Sequence, residues 1–186
     1  MDLLQHHCIA AHANRLANRR LHAAMAKLTR DEFHAKRINF FPSFADTLNH
    51  ILSVDTYYID ALEGVADMVE RFRSFVPADT MTELAYRQQL SDERLIRVCE
   101  RLDHEAIDPV VVMERGEGRQ QRDRAGHVLA HLFMHQTHHR GQVHCMLAGT
   151  SIRPPQLDEF LMPSDAPYRA DDMRDLGWSE ESVYGA

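Results

Sequence analysis

Residues 43–64 read SFADTLNHILSVDTYYIDALEG. Pro42 stands just before them and disfavours helix in the residue it follows, while Ser43 and Asp46 have the spacing of an N-terminal capping pair. Phe44, Leu48, Ile51, Leu52, Tyr58, Ile59 and Leu62 then recur at intervals of three and four, and Gly64 marks the stop. This stretch predicts one long amphipathic helix with a buried stripe.

The same period appears three more times. From about Asp2 to Leu28 the stripe is Ile9, Ala13, Leu16, Ala17, Leu21, Ala24, Met25 and Leu28. A third helix starts near Thr80, capped by the Thr80–Glu83 spacing, and carries Met81, Leu84, Ala85, Leu95, Ile96, Val98, Cys99 and Leu102. Its middle, Gln88 to Arg94, is polar enough to predict a kink. A fourth runs from about Asp123 to Leu147 and ends at Gly149. Leu28 to Pro42 breaks the pattern and is expected to be a loop with a short turn from Thr29. Between Ile107 and Arg122, the β-prone Pro109 to Met113 followed by Gly116 and Gly118 predicts a small hairpin or an extended excursion. Pro154-Pro155 stops regular structure, Leu157 to Met162 is expected to pack back, and the residues beyond Pro163 are acidic and loosely specified. The expected fold is all-α: an antiparallel four-helix bundle over residues 1–162 with a β-like excursion before the last long helix, then a tail over 163–186.

Composition narrows the function. With 44% hydrophobic and 26% charged residues the chain has the make-up of a globular domain, and its 186 residues can bury a real core. The formal charge of −7 argues against nucleic-acid binding, which needs clustered Lys and Arg; Arg15, Arg19, Arg20 and Arg37 are expected on solvated helix faces. There is no apolar run long enough for a membrane span and no signal-peptide pattern. Three cysteines without a C-x-x-C pair, Cys8, Cys99 and Cys145, suit a reducing cytoplasm and are expected to be small buried apolar side chains.

Thirteen histidines are the unusual entry in the composition, and the last long helix holds six of them: His127, His131, His135, His138, His139 and His144. Residues four apart on a helix lie on one face, so His135 and His139 form a two-imidazole claw. The pairs His127–His131 and His131–His135 share that spacing, and geometry alone does not choose among them. His50, mid-helix in the apolar context TLNHIL, adds a third imidazole on a helix that can face the fourth. Buried imidazoles need partners, and one metal ion would satisfy all three. HQTHH resembles the H-E-x-x-H of zinc proteases, but Gln136 stands where the general-base Glu is required, which rejects that chemistry. There is no Glu-x-x-His motif for a di-iron carboxylate bundle. His50 and Asp55 have a hemerythrin-like spacing, yet no histidine has a glutamate four residues on. A mononuclear three-histidine site survives. Candidates to orient its rings are Asp46, Asp55, Tyr57, Gln136 and Gln142. Arg140 is expected to anchor a substrate by its charge or to form a salt bridge to another helix, Gly141 to mark close helix contact, and His138 and His144 to lie at the surface.

Residues 14–21 (NRLANRRL), 47–62 (TLNHILSVDTYYIDAL), 131–144 (HLFMHQTHHRGQVH) and 154–158 (PPQLD) resemble the DinB family of bacterial proteins. The resemblance covers about residues 1–162, and its most specific parts are L-N-H-I-L and H-x-x-x-H-R-G-Q. It implies a four-helix bundle, typically a homodimer, with a divalent metal held by His50, His135 and His139. Zinc or nickel is expected first, and iron, manganese or copper also suit such a site. It further implies a small-molecule substrate and a low-molecular-weight thiol cofactor of the mycothiol or bacillithiol kind, used in S-transferase or isomerase reactions. No residue is thereby marked as catalytic. Three readings follow: a metal-dependent thiol S-transferase or hydrolase, a non-catalytic metal-binding stress-response protein, and a helical dimerisation module whose histidines are incidental.

Overall fold

The computed structural model of the protein describes residues 3–102 and 109–185. The Asp2 start of the first helix and the Ile107 onset of the excursion lie outside the described residues. Four long helices form the bundle: α1 (Leu3–Met25), α3 (Phe44–Leu62), α5 (Met81–Arg101) and α6 (Ala125–Ala148), with the short α2 (Arg30–His34) and α4 (Met68–Arg73) in the connections. The ends are made locally. Ser43 and Thr80 accept from the backbone N–H groups of Asp46 and Glu83, and Thr29 with Glu32 forms a complete capping box that lifts the expected short turn into α2. The excursion is an antiparallel hairpin of β1 (Val110–Glu114) and β2 (Gln120–Arg124). Val111 and Met113 point inward, and the reversal between the strands uses positive φ at Gly116, Glu117 and Gly118.

At one end of the bundle Leu21 and Met25 meet Phe44, Leu48, Met81, Leu84, Val143 and Leu147; at the other Ala11 meets Ile59, Leu95, Cys99, Leu129 and Leu132. Helices α1 and α6 therefore run one way, and α3 and α5 the other. The expected antiparallel packing holds for α1–α5 and α3–α6, while α1–α6 and α3–α5 are parallel neighbours. A parallel neighbour needs a return connection, and the segment between α3 and α5 supplies it. That segment carries α4, which has no signal in the sequence pattern. Asn49 clips it back onto α3, donating to the Ala78 carbonyl at 2.9 Å and accepting from the Ala78 N–H at 2.7 Å.

Midway along the bundle the core turns polar. Arg140 of α6 donates through Nη1 to Asn14 Oδ1, to Asn18 Oδ1 at 3.0 Å and to Gln136 Oε1 at 3.3 Å. Asn14 and Asn18 of α1 pass the interaction on to Asp92 of α5, Asn18 Nδ2 lying 2.9 Å from Oδ1. Gln88 Nε2 donates to Asp92 at 3.1 Å and to Asp55 of α3 at 2.7 Å. All four long helices contribute. This layer corrects three expectations. Gln88 and Asp92 are buried partners, with Ser91 buried beside them, in an unbroken α5, not the site of a kink. Arg15 is buried, not solvated. Arg140 bridges helices, but through neutral amides.

The residues after Pro163 are also more ordered than their composition suggests. A 3-10 turn (Pro163–Asp165) leads into α7 (Ala166–Asp175), and α8 (Glu180–Tyr184) follows. Phe160, Met173 and Val183 close over Leu16 and Ala17 of α1. Arg169 is fully buried, with Nε and Nη2 on the Glu180 carboxylate at 2.8 and 2.6 Å and its guanidinium over the Tyr184 ring. Arg19 and Arg20, expected in solvent, pair instead with Asp172, Asp175 and Glu159. Arg37 lies over the Phe44 ring. Cys99 is buried and its thiol pKa raised by burial, Cys8 is half-buried, and Cys145 is exposed, against expectation. Gly141 is not a close-contact glycine: a Cβ there would meet nothing within 4 Å, and the residue lines an open groove between α1 and α6.

Burial, followed by the neighbouring Asp92, sets the Asp55 carboxyl: although Gln88 opposes the shift, its pKa rises to about 7. The folded protein then holds a proton that the unfolded chain releases near pH 4, so this group's contribution to stability falls as pH rises from about 4 to 7. Asp55→Asn abolishes the penalty. The melting temperature of the variant minus that of the wild type should increase between pH 5 and pH 8, by the equivalent of roughly a few kcal/mol. A difference that stays flat with pH would show that Asp55 is not the titrating group.

Candidate metal centre

His50 lies in the second turn of α3, and His135 and His139 occupy successive turns of α6, the helix antiparallel to it. Because α3 and α6 are held together both by the apolar end cluster and by the polar layer, these three rings face one another. His50 Nε2 and His135 Nε2 lie 3.0 Å apart. Ring centroids of His50 and His139 are 4.7 Å apart, and those of His135 and His139 4.5 Å. One nitrogen from each residue falls within 4.8 Å of the others. An ion about 2.0–2.1 Å from each nitrogen would set them roughly 3.3 Å apart, so little closure is required.

The surroundings keep these imidazoles uncharged. Burial, together with the neighbouring rings, lowers His135 to about 3, and burial also lowers His50 and His139 from the usual imidazole range. Neutral rings with lone pairs converging on one point are a donor set for a borderline divalent ion, and the three together fit such an ion. Phe41, from the loop before α3, stacks on His50 at 4.3 Å between centroids and shields that side.

Of the five residues proposed to orient the rings, Gln142 is the one in place. His139 Nδ1 donates to Gln142 Oε1 at 2.8 Å, which leaves His139 Nε2 as the free donor atom. The Gln142 Nε2 in turn donates to His138 at 3.2 Å. The other four are engaged elsewhere: Asp46 accepts from Ser43 Oγ in the α3 cap, Tyr57 donates to the Glu114 carbonyl of the hairpin, and Asp55 and Gln136 belong to the polar layer. His138 is exposed, as expected. His144 is half-buried and donates to the Pro155 carbonyl at 2.9 Å, tying down the segment after α6. His131, which spacing could not separate from the ligands, packs edge-on against Tyr58. Its ring centroid lies 6.2 Å from that of His135, and it stays outside the trio.

The family model described as "DinB family" matches residues 7–172, most of the chain and all of this cluster. The chain belongs to the DinB family. No curated protein is detectably similar to it in sequence. The match extends past the end of the bundle into α7. No described helix of this DinB protein is long and apolar enough to cross a membrane.

The Gln142 contact gives a test that does not touch a ligand. Gln142→Ala should weaken divalent-metal binding about 10–100-fold by releasing the His139 ring, while thermal stability of the metal-free protein changes little. Unaltered affinity in a competition titration with a chromogenic chelator would mean that the ring is held by packing alone.

Proposed function

We propose that this protein is a metal-dependent enzyme of the thiol S-transferase or hydrolase type, with His50, His135 and His139 as ligands of one divalent ion. The observation that carries this reading is the set itself: three neutral nitrogen donors within 4.8 Å, with no carboxylate among them and a cavity against His135. Three protein ligands are the number found in catalytic zinc sites, where a further position is kept for water or substrate. A bound ion would supply Lewis acidity, lowering the pKa of a water or thiol and favouring the resulting anion.

What the chain's own residues do can be stated separately. The two α6 histidines and His50 hold their lone pairs on a common point. Gln142 sets the tautomer of His139 by accepting a hydrogen bond from its Nδ1–H. Phe41 excludes water from the His50 face, while the side bounded by His135 stays open to the cavity. A thiol arriving there would meet no side-chain carboxylate within the trio to repel its ionised form. Zinc or nickel suits an all-imidazole set, and a small-molecule substrate suits the size of the cavity.

Metal analysis of the purified protein tests the site. Wild type should carry about one divalent ion per chain, and His135→Ala and His50→Ala almost none; equal content in all three would sink the assignment. Loading with cobalt and titrating with a low-molecular-weight thiol tests the chemistry. The visible spectrum should shift as the thiol enters, and a spectrum that never moves refutes the thiol step while leaving the metal site standing.

A further inference from the structure

A cavity of about 440 Å³ opens beside His135, between α3, α4 and the turn of the hairpin. Its walls are aromatic: Tyr57 lies 5.3 Å from both Tyr58 and Phe72, measured between centroids. Its rim is basic, with Arg73 from the end of α4 and Arg115 from the turn between β1 and β2. Both are counter to the chain's net charge of −7.

The contacts of Arg115 are with neutral groups. Arg115 donates to the neutral Gln121 Oε1 at 2.9 Å and contacts the Met113 sulfur, and its guanidinium carbon sits 5.3 and 5.8 Å from the centres of Tyr57 and Tyr58. Arg73 Nη2 rests 3.0 Å from where a Cβ on Gly116 would stand, so the missing side chain at Gly116 is what lets this guanidinium lie against the turn. Among the described residues neither arginine has a carboxylate within ion-pair distance. The one acid on the wall, Glu114, is occupied by Gln120 Nε2 at 2.6 Å. Several other arginines are paired, Arg30 with Asp79, Arg94 with Asp60 and Glu63, Arg19 with Asp172 and Asp175, whereas Arg97, Arg122 and Arg153 are exposed and line no such aromatic cavity. Two guanidiniums without carboxylate partners thus line one cavity, Arg115 over edge-to-face tyrosine rings and Arg73 beside the turn, and a fork of this shape matches a carboxylate.

We infer that this cavity selects an organic acid with a flat apolar body, its carboxylate held by Arg115 and Arg73 and its body lying between Tyr57, Tyr58 and Phe72. This inference rests on the metal-centre reading only in naming the acid as the substrate of that centre; the recognition itself is a property of the arginines and rings. The aromatic walls supply apolar contact, and the arginines reject an uncharged analogue of the same shape by leaving their charge without a partner.

The test compares 3-phenylpropanoate with 3-phenylpropanamide by calorimetry or ligand-observed NMR, on protein stripped of metal and on protein loaded with zinc. The acid should bind at least about tenfold more tightly than the amide in both states. Arg115→Gln and Arg73→Gln should each reduce that ratio severalfold, and the double variant should erase it with zinc content unchanged. Circular dichroism checks that each variant is folded, and Arg73→Gln, at an exposed position, guards against loss of the hairpin in the other. Equal binding of acid and amide overturns the inference, as does a preference that survives the double variant. A preference seen only with zinc present also overturns it, because the ion and not the arginines would be binding the acid. If zinc fails to load but the acid preference and its dependence on the arginines persist, the metal reading falls and this one stands.

Discussion

A guanidinium cut off from water must have its charge answered by the protein around it, and Arg140 is in that position. Its nearest acceptors are amide oxygens on α1 and α6, and the balancing carboxyls, Asp92 and Asp55, are reached through Asn14, Asn18 and Gln88. Burial lowers Arg140 to about 10 and raises Asp92 to about 6, so each charged form is strained and each needs the others. Such a layer is not a cheap way to gain stability, since well-packed apolar side chains would serve as well or better. What it does impose is register. A slip of one turn in any helix would strand a buried hydrogen-bonding group, a penalty of about 1–3 kcal/mol for each. His135 and His139 directly precede Gln136 and Arg140 of this layer on α6, and His50 lies between one and two turns before Asp55 on α3, so the meeting of the rings depends on the alignment it enforces.

Helix α6 bears most of that demand, which explains its composition. Leu129, Leu132 and Val143 face the core, His135 and His139 face His50, Gln136 and Arg140 face the polar layer, and Thr137, Gly141 and His144 border the groove toward α1. The remaining positions, such as Ala130, Met134, His138 and Cys145, face solvent. The result is a helix with no single apolar stripe, unlike α5, whose buried face is ordinary at both ends. The histidines are tolerated in the interior because they stay neutral and because Gln142 and the neighbouring rings take part of their hydrogen-bonding capacity.

Local signals in the sequence carried the architecture. The caps at Ser43 and Thr80, the stop at Gly149 and the two glycines of the hairpin each act over a few residues, and the chain alone displays them. The three candidate ligands were visible for the same reason in part: His135 and His139 are a local pair, whereas His50 needed its apolar helical context and the expected bundle to join them. What stayed hidden is non-local. The polar run Gln88 to Arg94 looks like a weak point until Asn18 and Asp55 are placed beside it, and Arg15 looks like surface until it is covered. The segment 163–184 has few apolar residues, but Arg169 and Glu180 find each other across α7 and α8 while Met173 and Val183 complete a cluster on α1. Gln142 was one of five candidates of equal standing, and only the direction of the His139 ring selects it. Arg73 and Arg115 carried no sequence signal, because nothing in the pattern brings α4 to the hairpin.

The charges around the centre then point in one direction. A divalent ion on three neutral imidazoles would keep its full charge, since none of the ligands is anionic, and would favour an anion at any remaining position. The adjoining cavity adds two arginines without acidic partners and walls of low polarity, where such charges are less screened than in water. An ionised thiol and an ionised acid are both suited to that field, and a neutral hydrophobic molecule is not. The α3 face bearing His50, Val54, Tyr57 and Tyr58, spaced at about one-turn intervals, leads from the trio to the cavity wall, and His131 and His135 of α6 line the same cavity. Substrate selection by the rings and arginines and activation by the histidines would therefore be coupled through α3 and α6, whose relative position is set by the buried layer that Arg140 organises.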